Sequence, residues 1–174
     1  MNLTPPPRRT SLVPALVVLG LLCTALSACR SNPAREERVL NVDAKGIALE
    51  GYDPVAYFPE GGGRPKRGDS RLSSRFEGAT YLFATQANFE RFQADPKKYV
   101  PRYGGWCAWA MADGEKVEIN PKAFLLDDDG LLLFYRTVFV DTERMWREGD
   151  SEQLELQADE AWARLSAPRP EAGR

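Results

Sequence analysis

Hydrophobic and polar residues follow three different patterns along the chain. Residues 12–26 form a nearly uninterrupted apolar run. From residue 39 onwards, short apolar stretches alternate with turns rich in glycine, proline and aspartate, which is the pattern of small β-hairpins. Towards the C-terminus apolar residues recur every three or four positions, which indicates helices. The chain therefore predicts an α+β fold: small antiparallel hairpins, one helix inserted between them, and C-terminal helices packed on the sheet.

Alternating apolar residues predict three hairpins, whose strands are residues 39–42 and 47–49, 74–77 and 80–83, and 123–126 and 131–135. A further half-buried strand is expected over residues 116–119. Three consecutive aspartates and a glycine, residues 127–130, join the last pair of strands. They favour a solvated turn over a calcium loop, because an EF-hand loop places its oxygen ligands at alternating positions.

Helical periodicity predicts three helices. The first follows Thr85, a favourable N-cap, carries Phe89 and Phe92 on one face, and ends before the next proline. The second is expected over residues 138–146. The third has Ser151 as its N-cap and an apolar face formed by Leu154, Ala158, Ala161, Trp162 and Leu165.

The apolar run near the start predicts a targeting segment. Arg8 and Arg9 precede it, and residues 12–26 are too few for a comfortable membrane span. The run ends in Leu-Ser-Ala-Cys at residues 26–29. This ending resembles a bacterial lipobox, which implies cleavage before Cys29 and lipidation of its sulfur. An ordinary secretory signal and a short membrane anchor are the alternatives.

The lipobox resemblance also implies an organisation and a location. Residues 1–28 are then a signal peptide, residues 29–38 a polar tether, residues 39–165 the folded domain and residues 166–174 a disordered tail. Arg30, where an aspartate would indicate retention at the inner membrane, favours the outer membrane. The expected location is the bacterial cell envelope, with the domain facing the periplasm and held to the membrane through Cys29.

Composition excludes several classes of function. A formal charge of −2 over 174 residues is too small to suggest a nucleic acid partner. The chain has no histidine. That absence excludes Ser-His and Cys-His catalysis within one chain and removes the commonest metal ligand.

The candidate chemistry is concentrated at residues 101–111, where a Gly-Gly pair precedes a cysteine among aromatic residues. Cys23 leaves with the signal peptide and Cys29 is lipidated, so Cys107 is the free thiol of the mature chain. Gly104 and Gly105 allow a positive φ or the close approach of another group. Three interpretations of Cys107 stay open: a buried structural residue, a functional thiol or ligand contact, and an intermolecular disulfide.

Several motifs together resemble one family. Residues 51–58 read Gly-Tyr-Asp-Pro-Val-Ala-Tyr-Phe, residues 88–92 Asn-Phe-Glu-Arg-Phe, and residues 95–99 Asp-Pro-Lys-Lys-Tyr. Residues 103–108 read Tyr-Gly-Gly-Trp-Cys-Ala. In order and spacing these segments resemble YHS-domain proteins of the secreted bacterial type, and the resemblance covers about residues 39–162.

The resemblance implies a binding module with a pocket near Cys107. Its candidate ligand-binding residues are Tyr52, Asp53, Tyr57, Tyr103, Gly104, Gly105, Trp106 and Cys107. Because the broader family is similar to cysteine-based metal-binding domains, a transition metal ion is the implied cofactor. Cys107 and Asp53 are its candidate ligands, with Met111 as a soft alternative. The chain cannot supply the roughly four nitrogen or sulfur ligands of a structural zinc site.

Two other functions remain as alternatives to the binding module. One is a periplasmic thiol or redox enzyme that uses Cys107, with Asp53 as its polar partner. The other is a non-enzymatic envelope scaffold that docks a protein. The implied partners are the membrane, through Cys29, and a small ligand or protein that the motifs do not specify.

Overall fold

The computed structural model describes residues 38–168. The predicted signal peptide, Cys29 and the tether up to residue 37 lie outside the described residues. So does the predicted disordered tail beyond residue 168, although the last helix already includes Ser166. These assignments therefore stay predictions.

The described residues form two antiparallel hairpins and five α-helices, which confirms the α+β fold. Strand β1 (Asp69–Phe76) pairs with β2 (Ala79–Phe83), and β3 (Asn120–Asp127) pairs with β4 (Gly130–Phe134). Between the hairpins lie α1 (Gln86–Ala94), α2 (Pro96–Tyr99) and α3 (Ala108–Ala112), and after them α4 (Thr142–Glu148) and α5 (Ser151–Ser166). The single inserted helix that was expected is α1. The short helices α2 and α3, which also lie between the hairpins, were not expected.

Local turn chemistry explains both hairpins. Glu77 and Gly78 join β1 to β2 with φ angles of 44° and 88°, the left-handed pair that a two-residue hairpin turn requires. In the second hairpin the carboxylate of Asp127 accepts hydrogen bonds from the backbone nitrogens of Asp129 (3.0 Å) and Gly130 (2.9 Å). The aspartate run is therefore a hairpin turn, as predicted.

Capping side chains set the starts of the helices. Thr85 accepts a hydrogen bond from the backbone nitrogen of Asn88 and begins α1, as predicted. Helix α5 is capped by Asp150 rather than Ser151, a shift of one residue. The helix predicted over residues 138–146 begins only at Thr142, because Asp141 caps it through the backbone nitrogen of Arg144. Residues 138–140 instead form a turn.

Two strand predictions were wrong or too generous. Residues 116–119 form no strand, because the backbone oxygen of Val117 bonds to the nitrogen of Cys107 instead of to a ladder partner. The opening hairpin is reduced to a single bridge between Val42 and Ala48. Leu49 and Glu50 adopt positive φ angles of 55° and 51°, which ends the extended backbone.

The buried side chains form two apolar clusters that meet at the Trp106-Cys107 step. Cys107 belongs to the cluster built on the first hairpin and α1, together with Tyr57 and Phe83. Trp106 belongs to the second cluster, where β3, β4, α4 and α5 meet around Trp146. Helix α4 packs on the second hairpin, whereas α5 packs mainly on α3. Within residues 38–168, no helix has the length and apolarity needed to cross a membrane.

Candidate functional site

The Gly-Gly pair lets two other parts of this chain come close. Tyr103, Gly104 and Gly105 have consecutive positive φ angles of 54°, 59° and 83°. A Cβ atom on Gly104 would lie only 2.6 Å from Cη2 of Trp162 in α5. The backbone oxygens of Gly104 and Gly105 accept hydrogen bonds from the backbone and side-chain nitrogens of Asn41, at 2.9 and 3.0 Å. The close approach that the glycines permit is therefore made by α5 and the N-terminal segment.

The two aromatic residues beside the glycines are also held by the chain itself. The ring of Trp106 is fully buried, and its Nε1 atom donates to the backbone oxygen of Val39 at 2.8 Å. The buried Tyr103 hydroxyl donates to Asp159 of α5 at 2.9 Å. Burial raises the pKa of Tyr103 strongly, with the hydrogen bond to Asp159 adding to the shift against the opposing charge of Arg102. A ligand at these residues would have to displace these contacts.

An ion-pair network behind Tyr103 was missed by the sequence analysis. The guanidinium of Arg102 stacks over the Tyr103 ring, 5.1 Å from its centroid, and pairs with Glu155 and with Asp159 at 2.8 Å. Glu155 and Asp159 are four residues apart and so share one face of α5. Two acidic residues on one helix face, together with a basic residue inside the motif, were the signal in the sequence that could have indicated this network. The network fixes α5 against the Gly-Gly turn.

The thiol of Cys107 is buried and hydrogen-bonded on both sides. Its Sγ atom accepts a hydrogen bond from the backbone nitrogen of Tyr135 at 3.3 Å, just after β4. It also lies 3.4 Å from Oγ1 of Thr142, the buried first residue of α4. Cys107 itself immediately precedes α3. The sulfur atom therefore links the residue before α3 to the start of α4 and to the end of the second hairpin.

The partners of Thr142 fix the direction of that last contact. Its hydroxyl donates to the backbone oxygen of Tyr135 at 2.8 Å, so the hydroxyl proton is already used. Oγ1 can then act towards the sulfur only as an acceptor, and the proton between them belongs to the thiol. The arrangement fits a neutral thiol that donates one hydrogen bond and accepts another. It provides no base for forming a thiolate.

The carboxylate of Asp53 is fully buried and accepts four hydrogen bonds. One oxygen bonds to the backbone nitrogens of Val55 (2.9 Å) and Ala56 (3.3 Å). The other bonds to the backbone nitrogen of Ala84 (2.8 Å) and to Nδ2 of Asn88 (2.7 Å). Four donors fill the acceptor sites of a carboxylate. Asp53 thus joins the motif turn to the end of β2 and to α1.

The two tyrosines of the first motif have different environments. Tyr57 is buried, and its hydroxyl donates to the backbone oxygen of Pro121 at 2.8 Å. Its ring meets Phe124 edge to face with centroids 5.0 Å apart. Burial raises the pKa of Tyr57 strongly. Tyr52 is only partly buried and lies under the guanidinium of Arg67, 4.9 Å from the ring centroid.

The hydrogen bonds divide the two candidate metal ligands between separate environments. Asp53 bonds to residues 55, 56, 84 and 88, whereas the sulfur of Cys107 bonds to residues 135 and 142. Among residues 38–168, no three or more histidine, cysteine, aspartate or glutamate side chains are grouped to hold a metal ion. Metal binding by Cys107 and Asp53 stays a prediction from the sequence resemblance, and the donors already bound to Asp53 oppose it.

A separate surface feature has no counterpart in the sequence analysis. The turn at residues 137–140 exposes two adjacent apolar side chains, Val138 (94 %) and Phe139 (95 %). With Met145 and the charged residues of α4 it borders an open cleft of about 500 Å³. The sequence analysis assigned the apolar residues of this turn to a helix, and on a helix they were expected to be buried. Asp141 as an N-cap was the signal that the helix starts later.

Comparison with known proteins adds no relative to this description. No protein-family model, curated protein or solved structure matches the chain. The resemblance to YHS domains therefore remains a prediction carried by the order and spacing of the motifs.

Proposed function

We propose that this chain is a lipid-anchored, non-catalytic module of YHS type in the bacterial cell envelope. In this proposal the motif residues build the domain, and other molecules are contacted at its surface. The observation that carries the proposal is that the carboxylate of Asp53 and the thiol of Cys107 are both hydrogen-bonded to other residues inside the protein. Asp53 accepts four hydrogen bonds, and the thiol of Cys107 is buried between Tyr135 and Thr142.

The same observation weighs against a thiol enzyme that uses Cys107. Nucleophilic catalysis requires a thiolate, a base or positive charge that stabilises it, and room for a substrate. Around Cys107 the proton of Thr142 points to a backbone oxygen and the sulfur is fully buried. Asp53, the expected polar partner of Cys107, already accepts hydrogen bonds from other donors through both of its carboxylate oxygens. A reaction at this sulfur would first require local unfolding.

A ligand site at the Gly-Gly-Trp-Cys motif meets a similar obstacle. The space beside Gly104 is filled by Trp162 and Leu40, and the ring nitrogen of Trp106 is bonded to Val39. A ligand would have to replace packed side chains of the same domain. A partner can therefore contact the exposed surface of the domain without displacing packed side chains, whereas at the motif it cannot.

The anchoring part of the proposal is tested by fractionating cells that express wild-type protein or Cys29→Ser. Wild type is expected in the membrane fraction with an acyl mass on its N-terminal cysteine, and Cys29→Ser in the soluble periplasmic fraction. Cys23→Ser is the matched control, since it changes a cysteine that leaves with the signal peptide, and it should behave as wild type. Wild-type protein that lacks an acyl mass on its N-terminal residue would exclude lipidation as the anchor.

The absence of a ligand site at the thiol is tested by native mass spectrometry and metal analysis of protein isolated from its own membrane. We expect the wild type and Cys107→Ala to give the same result: either both carry the same metal or small molecule, or neither carries one. A metal or small molecule present in wild type and lost from Cys107→Ala would overturn the proposal in favour of a site at the thiol. Circular dichroism of both proteins separates such a loss from unfolding of the variant.

A further inference from the structure

The turn between β4 and α4 carries an apolar tip, which we define as residues 137–140. An antiparallel bridge between Arg136 and Asp141 closes its base. At the tip, Val138 and Phe139 are 94 % and 95 % exposed, and Val140 is 41 % exposed. Adjacent valine and phenylalanine side chains this far out of the fold contribute nothing to the core. Contiguous exposed apolar side chains in a folded domain occur at protein–protein, membrane and ligand contacts.

The backbone of the apolar tip is already hydrogen-bonded within itself. The backbone nitrogen of Thr137 donates to the oxygen of Val140 at 2.8 Å. The hydroxyl oxygen of Thr137 accepts from the nitrogens of Phe139 (3.3 Å) and Val140 (3.1 Å). Unpaired backbone donors are costly where water is scarce, as in the hydrocarbon region of a bilayer. Three of the tip's four nitrogens thus have partners that do not depend on water.

The charges around the base of the tip balance each other. Arg144 pairs with Glu148 at 2.9 Å, and Arg147 with Glu143 at 3.0 Å. Arg136 lies between Asp141 (3.9 Å) and Glu143. With three arginines against three carboxylates, the base offers no excess charge for a highly charged partner or for anionic lipids. Apolar contact is left as the main source of attraction.

Residues 118–120 connect the base of the apolar tip with the first described residue of the chain. Arg38, the first described residue, is 4.0 Å from Glu118, while the backbone oxygen of Arg136 accepts from Asn120 at 3.4 Å. Glu118 and Asn120 are two residues apart, which is at most about 7 Å of chain. The eight residues between Cys29 and Arg38 make nine Cα-to-Cα steps, which span at most about 32 Å. A bilayer that holds Cys29 therefore lies within about 32 Å of Arg38.

From these four observations we propose that the apolar tip inserts into the bilayer that carries the lipid anchor. Val138 and Phe139 enter the interfacial region, and the paired arginines and carboxylates of the base remain at the level of the headgroups. This inference rests on the lipidation of Cys29 in the proposed function. The anchor limits the distance of the domain from the membrane, and the tip fixes its orientation.

The test places an environment-sensitive fluorophore at the tip of the lipidated protein. Phe139→Cys is labelled and reconstituted in vesicles of pure phosphatidylcholine, and quenching by aqueous iodide is measured. The matched control is Leu156→Cys, an exposed apolar position on α5 (57 %) outside the tip. Labelling of the parent protein, checked by mass spectrometry, shows whether Cys107 contributes to the signal.

We expect the probe at residue 139 to shift to the blue and to be quenched at least about threefold less than the probe at residue 156, since an inserted side chain leaves the aqueous phase. Adding anionic lipid or salt should change this ratio little, because the base has balanced charges. Equal quenching at both positions on anchored protein would overturn the insertion. Protection that appears only after an envelope protein is added would also overturn it and would identify the tip as a protein-docking site.

Failure of this inference is distinguishable from failure of the proposed function. If Cys29 is not lipidated, the acyl mass is missing from the wild-type protein. If the tip does not insert, the acyl mass is present and only the fluorescence result is negative. A second variant, Phe139→Ser, alters a side chain that is almost wholly in solvent, so its thermal unfolding should match wild type while its interfacial orientation is lost.

Discussion

The Oγ1 atom of Thr142 lies 3.4 Å from the Sγ atom of Cys107 and gives its own proton to a backbone oxygen. This pair joins the beginning of α4 to the residue that precedes α3. It makes Cys107 part of the packing between helices and the second hairpin.

Thr142→Val should destabilise the domain and expose the thiol more often. The substitution keeps the shape of the side chain but removes the bond to Tyr135 and the acceptor for the thiol, a loss of about 1–2 kcal/mol in unfolding free energy. Chemical denaturation measures the change. Thr142→Ser keeps the hydroxyl and should lose less stability than Thr142→Val. A valine variant as stable as wild type would contradict the role of this hydroxyl.

Asp53→Asn should cost more stability than its small change in shape suggests. Whichever oxygen becomes an amide nitrogen faces two donors, so we expect a loss of at least about 3 kcal/mol in unfolding free energy. Asp43→Asn is the matched control. The exposed Asp43 accepts from the nitrogens of Lys45 and Ile47 through one oxygen, which asparagine can retain, so that variant should lose under about 1 kcal/mol. Equal losses would contradict the buried Asp53 network.

Gly104→Ala should destabilise the contact between the motif and α5. The added Cβ meets Trp162 at 2.6 Å and the residue has a φ of 59°, so we expect a loss of about 2–4 kcal/mol. Gly46→Ala has a similar φ of 78° but nothing within 4 Å, and should cost only about 1 kcal/mol. Thermal unfolding of both variants measures the difference. A Gly104 variant no worse than the Gly46 variant would show that Trp162 does not occupy this space.

Alkaline pH should destabilise the domain through its buried tyrosines. Burial raises the pKa of Tyr57 above its unfolded value, and raises that of Tyr81 to about 12. A group with a raised pKa contributes its stability below the unfolded value, near pH 10, and loses it as the pH rises further. Tyr57→Phe should therefore reduce the slope of unfolding free energy against pH above pH 10, by up to about 1.4 kcal/mol per pH unit. An unchanged slope would contradict the burial of this hydroxyl.

Local signals were sufficient to predict the hairpins and helix starts that depend on neighbouring residues. Thr85 and the aspartate run at residues 127–130 act on backbone groups two or three positions away, so the sequence displays both partners. The helix expected at residue 138 failed because apolar periodicity was followed through Asp141, whose side chain caps the true start. Residues 116–119 alternate like a strand, but a strand also needs a pairing partner. Whether the fold supplies that partner depends on residues far away in the sequence.

The sequence motifs predict which residues form the candidate site, but the partners that surround them inside the fold could not be predicted. The donors to Asp53 come from residues up to 35 positions away, and Thr142 is 35 positions from Cys107. Sequence spacing gives no information on whether such partners fill a site or leave it open. The exposed Phe139 was hidden for the same reason, since exposure depends on which face of the fold a turn occupies.

The central claim is that the motif thiol is a buried structural group, and its reaction with an alkylating reagent tests this most directly. Mature lipidated protein is treated with iodoacetamide at neutral pH, with and without guanidinium chloride, and modification of Cys107 is followed by mass spectrometry. We expect the native rate to be at least about 100-fold below the denatured rate, because reaction requires local opening. Modification of the native thiol at or above the rate of a peptide thiol would contradict the account and support the thiol-enzyme alternative.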